Sequence, residues 1–466
     1  MKLRIAAMLA CACLLLSGCM SLAQGTENLM RPPKLSVEQQ KIYAALSAVV
    51  GDDIVLKYPG DGEHRSAFVM YDIDGDGEEE VIVFYASSSQ SDNLHINILN
   101  KQGEDWYSIY DAVGEGPEID SIAFRNITNT GSINIVVSYE MLSMQQKVLC
   151  VYTYKNNKLL EEFKCDYTSS LIQDFDNDGL DELFLLYNVE TIIAKAMYVD
   201  TLYTFGAPTV MSEVELSTDV KQYVQIIAEP EPPAQAEAAK AQRPNAFSYI
   251  VYIDGLTSAK GNHTTELVRL RNNSISNLLV SEDNVHNINW RYVSLLTQDR
   301  NNDGVMDVPK GVPIPGWPTD SKESVVTLIE WYNYIDDQFL PINYTLVNRM
   351  FGFSLDYPAA WSAWGKKIAV KQSDDGYEWQ LYEYFENNSN AQEGGKSSVL
   401  GSELLRIRVY SNNNFFDEYN TEGYVELGAC EEYTYYGFIP EQGATKNDLA
   451  ITYDELAELF RYENAA

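Results

Sequence analysis

Short apolar runs with period-two alternation recur along this chain, as in Leu94, Ile96 and Ile98, and they predict β-strands. Strands are expected over 80–86, 93–100, 105–111 and 119–124, then over 246–254, 264–272 and 290–297, and finally over 367–371, 378–385 and 403–410. Two helices interrupt this pattern. One is expected from Ser36 to Val49, with Ser36 as N-cap and Gln39 three residues later. The other is expected from Thr452 to Tyr462, with Asp454 and Glu455 in the first turn and Leu456, Leu459 and Phe460 on one face.

Three nine-residue acidic loops of one design separate strand runs: Asp72 to Glu80, Asp174 to Glu182 and Asp299 to Asp307. Each carries oxygen side chains at its first, third and fifth positions, glycine at the sixth (Gly77, Gly179, Gly304) and a carboxylate at the ninth. Such spacing lets a short backbone wrap one hard cation, and calcium is the expected ion at about three sites. An EF-hand would require glutamate at the twelfth position, where Val83, Leu185 and Lys310 stand, and helices on both sides. Plain solvated Asp/Gly turns are the competing reading, opposed by the repulsion among several convergent carboxylates. A fourth copy, Asn126 to Asn134, keeps the polar spacing and Gly131 but has no carboxylate, so it is expected to keep the turn without the metal.

From Asp72 to Asn126 is 54 residues and from Asn126 to Asp174 is 48, a period suited to four-stranded propeller blades. The 125 residues from Asp174 to Asp299 match two blades plus a Pro/Ala/Glu-rich insertion, 229–245. Residues 51–340 are therefore expected to form a β-propeller of about five blades, with six or seven allowed.

The Asp-x-Asp/Asn-x-Asp-Gly-x-x-Asp/Glu pattern between strands resembles the FG-GAP/VCBS repeats of integrin-like β-propellers over roughly residues 51–335. The resemblance implies calcium ligands at Asp72, Asp74, Asp76 and Glu80, at Asp174, Asp176, Asp178 and Glu182, and at Asp299, Asn301, Asp303 and Asp307, with the carbonyls of Glu78, Leu180 and Val305 as further candidates. From about Asn343 the texture changes. The segment Gly352 to Pro358 with Trp361 is similar to the start of a PsbP-like α/β sandwich, which implies a small α/β domain over 343–466 and an adaptor role.

The N-terminus sets the compartment. Lys2 and Arg4 precede a short apolar run, and Leu16-Ser17-Gly18-Cys19 resembles the lipobox of bacterial lipoproteins. Residues 1–18 are read as a signal peptide, Cys19 as the lipidated residue and 19–35 as a tether. A plain signal peptide is the alternative. Localisation at the extracytoplasmic face of a bacterial cell membrane follows, held by acyl chains that contribute about 0.8 kcal/mol per buried CH₂.

The formal net charge of −35 becomes −37 once Lys2 and Arg4 are removed, a surface that repels nucleic acid and anionic headgroups. Of six cysteines, Cys150, Cys165 and Cys430 remain after Cys11 and Cys13 leave and Cys19 is lipidated. A turn at Asn156-Asn157 would pair Cys150 with Phe163, so a Cys150–Cys165 disulfide needs a register shift.

Four histidines, His64, His95, His263 and His286, stand outside any nucleophile or zinc motif and are expected on the surface or in turns. Trp290, Trp317 and Trp331 lie near the last acidic loop, either as sugar-stacking faces or as blade packing. The expectation is a non-catalytic, calcium-stabilised binding lipoprotein with a glycan or protein ligand. The alternatives are an enzyme acting on extracellular polysaccharide through propeller-face carboxylates, or an envelope assembly adaptor.

Overall fold

The computed structural model describes residues 35–87, 94–142, 146–189, 193–201, 206–216, 220–231, 247–257, 262–279, 289–317, 325–362, 367–387, 397–413, 421–441 and 448–462. The expected signal peptide, Cys19, nearly all of the tether, most of the 229–245 insertion and His286 lie outside them. Among the described residues no helix is long and apolar enough to cross a membrane.

The protein is mainly β, and its described residues form six sheets that do not close into a barrel. Sheet one holds β1 (Ile54–Lys57), β2 (Phe68–Tyr71), β3 (Glu80–Ser87), β4 (Leu94–Gln102) and β5 (Asp105–Val113), with β1 and β2 both pairing β3. Three four-stranded sheets in sequential order follow. They are β6 (Glu118–Arg125) to β9 (Leu159–Tyr167) through β7 (Asn134–Glu140) and β8 (Lys147–Tyr154), then β10 (Ser169–Gln173), β11 (Glu182–Val189), β12 (Ile193–Thr201) and β13 (Pro208–Glu215), then β14 (Val220–Pro230), β15 (Ser248–Thr257), β16 (His263–Arg271) and β17 (Ser274–Asn277). The chain divides into two compact units. One holds the described residues up to Ala123 with Val137–Leu142 and Tyr154–Leu160, and the other holds the remaining described residues.

Helix α1 (Val37–Val50) forms as its capping box predicts. Ser36 Oγ accepts from the Gln39 amide at 3.2 Å while Gln39 Oε1 accepts from the Ser36 amide at 3.0 Å. It ends at Gly51, whose φ of 92° an L side chain adopts only under strain. Ile42 and Leu46 pack on Phe68, Val83, Leu99 and Trp106 of sheet one, each burial contributing roughly 2 kcal/mol. Glu38 anchors the outer side, accepting from Trp106 Nε1 and Lys101 Nζ, both at 2.8 Å.

Tight hairpins occur where paired Asn or Asp residues supply two positive φ values, as at Asn156-Asn157 (52° and 57°) and Asp336-Asp337 (53° and 60°). The first is the turn the sequence predicted. Cys150 and Cys165 are not joined in a disulfide, and burial pushes the Cys165 thiol up to about 12.

The remaining sheets are β18 (Val308–Val312), β19 (Val326–Ile335), β20 (Gln338–Asn348), β21 (Phe353–Asp356) and β27 (Phe460–Tyr462), and β22 (Ile368–Gln372), β23 (Glu378–Asn387), β24 (Ser397–Ser411), β26 (Tyr433–Phe438) and β25 (Val425–Ala429). One aromatic-rich core joins them, including Leu328, Leu346, Phe353, Trp361, Trp379, Tyr435 and Phe460, with helix α2 (Ala359–Ser362) supplying Trp361. The domain boundary expected at 340–343 falls inside β20, whose partners β19 and β21 lie on either side of it. That strand and the shared core leave no break there.

Two further expectations change. Residues 290–297 form no strand, because Arg291 is drawn into a buried ion pair and only an isolated bridge to His263 remains. The last helix, α3 (Tyr453–Leu459), stops three residues early because Phe460 turns into the core and β27 pairs with β21.

Candidate metal centres

The first two acidic loops each connect the strands of a hairpin within one sheet, and the third is closed by an isolated antiparallel bridge. Tyr71 pairs with Glu80, Gln173 with Glu182 and Gln298 with Asp307, so the residue before each loop faces its closing carboxylate across an antiparallel pair. Strands flank the first two loops on both sides and the third on its exit side, and no helix flanks any of them among the described residues, as the twelfth-position residues implied.

The turn is built by left-handed residues at the fourth and sixth positions: Gly75 and Gly77 (76° and 91°), Asn177 and Gly179 (59° and 91°), Asn302 and Gly304 (57° and 82°). The first carboxylate folds the backbone around itself. Asp72 accepts from the Gly75 and Gly77 amides at 2.8 and 3.0 Å, Asp174 from Asp178 and Gly179 at 3.2 and 3.0 Å, and Asp299 from Asp303 and Gly304 at 3.1 and 2.9 Å.

The ninth-position carboxylates carry the most unusual feature. One oxygen of each accepts the amide of the second loop residue: Glu80 from Ile73 at 3.1 Å, Glu182 from Phe175 at 2.7 Å and Asp307 from Arg300 at 3.0 Å. The other oxygen, Oε1 of Glu80 and Glu182 and Oδ1 of Asp307, is buried without a protein hydrogen-bond partner. These residues are 0%, 1% and 0% exposed. An ionised oxygen placed there without a partner is costly unless a cation meets it.

Convergence is graded among the loops. Asp174, Asp176, Asp178 and Glu182 each place one oxygen within 4.8 Å of the others, and so do Asp72, Asp74 and Glu80. Asp76 lies outside the latter group, and its Oδ1 accepts the Glu78 amide at 2.8 Å. Among the described residues the third loop forms no such group of carboxylates. There the third position is an amide, and Asn301 Nδ2 donates to Asp303 Oδ2 at 2.8 Å. Arg300 of that loop donates from Nη2 to both carboxylate oxygens of Asp356, at 2.8 and 2.7 Å, and stands over the Trp331 ring at 4.4 Å.

The electrostatics follow the geometry. Burial first, then the neighbouring loop carboxylates, push Glu182 up to about 9, Glu80 up to about 7, and Asp176 and Asp307 up to about 6. Asp200 of β12, buried and distant in sequence, adds to the charge felt by Glu182 and Asp176. No loop pattern could have flagged it.

The degenerate loop serves as an internal control. Asn134 Oδ1 accepts from the Ile127 and Thr128 amides at 2.9 and 2.8 Å, and its Nδ2 donates to Thr128 Oγ1 and Thr153 Oγ1 at 3.0 and 2.9 Å. Thus an amide nitrogen with donors of its own replaces the orphaned oxygen. The left-handed sixth position persists there without charge, at Gly131 with φ 73°, while the fourth-position Asn129 is not left-handed. Asn126 Nδ2 and the Asp181 amide hydrogen-bond this loop to the second acidic loop, through the carbonyls of Gly179 at 2.5 Å and Asn126 at 2.6 Å.

Other candidate residues are placed structurally. His263 is buried in β16 rather than on the surface, and His95 stacks on Tyr85 at 4.9 Å with Nδ1 3.1 Å from Asp111. Trp331 is buried, Trp317 packs against the large aromatic core and Trp290 is exposed.

Neither a family model nor a curated protein matches this chain. Among solved structures, the exotype rhamnogalacturonan lyase YesX is similar at a TM-score of 0.29 and 13% identity, over 75% of this chain and 58% of that one. The chain thus spans a little over half of the lyase. A protein from Lactobacillus plantarum is similar at 0.23 and 8% identity, over 74% and 85%. These likenesses are too distant to carry an argument about activity.

Proposed function

We propose that this chain is a lipid-anchored, extracytoplasmic binding protein of a bacterial envelope, in which calcium in the acidic loops braces a β-propeller and the ligand is a glycan or a protein. The observation that carries the metal reading is the repeated orphan: three equivalent closing carboxylates, each buried, each with one oxygen spent on a backbone amide and the other unpartnered. All donors in these loops are oxygens, which suits a hard divalent ion with flexible coordination.

Because the first two loops each close a hairpin, their ion ties two paired strands of one sheet, β2 to β3 and β10 to β11, rather than one sheet to the next. Hydrogen bonds between the degenerate and second acidic loops favour their lying at a common end of neighbouring sheets. The anchor rests on Leu16 to Cys19, and the role is binding rather than catalysis.

Metal analysis of the purified chain after dialysis against calcium tests the reading. About two to three calcium ions per chain are expected, removed by chelator with a fall in melting temperature. No bound ion, together with an unchanged melt in excess chelator, would overturn it.

A further inference from the structure

A cleft of about 310 Å³ opens beside the turn between β20 and β21. Its walls come from Tyr292 to Leu295, from Val347 to Arg349, from Gly352 to Ser354, and from Arg461 and Tyr462. Acidic residues outnumber basic ones in this chain by 68 to 33, yet among the described residues that line this cleft there is no Asp or Glu while there are two arginines. That inversion of the local charge marks the cleft as a place where an anion is attracted rather than repelled.

The arginines are pre-positioned. Arg349 Nη1 donates to the Tyr292 carbonyl at 3.2 Å, its guanidinium stands 6.0 Å from the Tyr292 ring, and its own amide is held by the Val325 carbonyl at 2.9 Å. Arg461 lies opposite Ser354 in the β21–β27 pair. Among the described residues the hydrogen bonds of its guanidinium go to the carbonyls of Glu458 and Phe460, which leave its charge uncompensated. Tyr292 is 39% exposed, so an aromatic ring stands beside the Arg349 guanidinium. Asn348 of the same wall has its Oδ1 taken by the Met350 and Phe351 amides and its buried Nδ2 without a partner.

We infer that this cleft binds a uronate unit of an acidic saccharide. The carboxylate meets the planar forks of Arg349 and Arg461, a geometry lysine cannot reproduce. The sugar ring lies against a tyrosine face, and the Ser294 and Ser354 hydroxyls serve its hydroxyl groups. The inference deepens the binding role proposed above by naming a ligand class. It shares no residue with the cation loops, so either can fail without the other.

Calorimetric titration of the full chain in calcium buffer tests it, with triglucuronate, a neutral glucose trimer and an acetylated tripeptide bearing a free carboxylate as probes. Binding of triglucuronate alone is expected, weakening as salt rises. Arg349→Ala and Arg461→Ala should each weaken it about tenfold to a hundredfold, and Arg461→Lys should recover only part. Thermal melts within about 2 °C of wild type show that the variants fold. Equal binding of the neutral trimer, binding of the peptide but not the uronate, an absence of uronate binding at millimolar concentration, or indifference to both arginine variants would overturn the inference.

Discussion

Replacing Glu182 by Gln separates a metal ligand from an ordinary buried residue, because the sign of the effect depends on the cation. Without an ion, Glu182 must either hold a charge beside Asp174, Asp176 and Asp178 or take up a proton on folding. Its ordinary value of 4.5 rises to about 9, so at pH 7 the interval from 4.5 to 7 costs up to about 3 kcal/mol, at about 1.36 kcal/mol per unit. Gln keeps the acceptor for the Phe175 amide and removes the charge, and part of the gain is lost because its amide also needs partners. The variant should therefore be roughly 1–2 kcal/mol more stable than wild type in excess chelator.

With calcium the order reverses. At about 1 mM ion and a dissociation constant of ~10⁻⁴ M, a filled site contributes about 1.4 kcal/mol, rising to about 2.7 kcal/mol at about 10 mM. Gln forfeits most of this. Thermal melts followed by circular dichroism, in chelator and across a calcium titration, should show the two curves crossing. Parallel shifts, with Glu182→Gln less stable by the same amount in both conditions, would refute the reasoning and leave Glu182 a packing residue.

The metal-free protein should lose stability as pH rises. Folded-state values raised to about 7 at Glu80 and about 9 at Glu182 mean that the folded chain binds the extra protons, so their favourable contribution is complete below about pH 4.5 and lost through pH 7 to 9. Calcium protection, measured as the melting difference with and without chelator, should grow across that window, and a difference independent of pH would count against the sites. Arg291→Met should destabilise by about 3–5 kcal/mol in urea titrations, because Asp254, equally buried and 2.8 Å away, would lose its ion-pair partner and keep only Thr265, Thr297 and Gln225 as donors. The double variant Arg291→Met/Asp254→Leu should recover part of that loss. Asn134→Asp should cost about 1–3 kcal/mol through the two bonds donated by Nδ2, with no rescue by calcium, since positions 126, 128 and 130 carry no carboxylate.

Local chemistry was legible where one segment satisfies itself. The Ser36 capping box, the Asn156-Asn157 turn and the left-handed glycines of the acidic loops all appear where the residues alone placed them, because each closes hydrogen bonds within a few residues. The closing carboxylates were legible for the same reason. Their orphaned oxygens were not, since burial of Glu80, Glu182 and Asp307 is conferred by packing around the hairpins.

The end of the chain misled for the opposite reason. Phe460 continues the apolar face of an amphipathic helix, yet the aromatic core takes it as the start of β27. Arg291 looked like part of a strand until Asp254, 37 positions earlier, claimed its guanidinium. Likewise nothing local brings Tyr292, Arg349 and Arg461 to one cleft, or places Asp200 near the second loop.

The sequence by itself determined the strand-rich class, the loop design and the spacing of the donors, because period and turn chemistry act over neighbouring residues. Only tertiary structure decided which oxygens lose water, which loops gather their carboxylates and where positive charge survives in an acidic chain. Desolvation and charge proximity depend on partners that the chain brings together from afar.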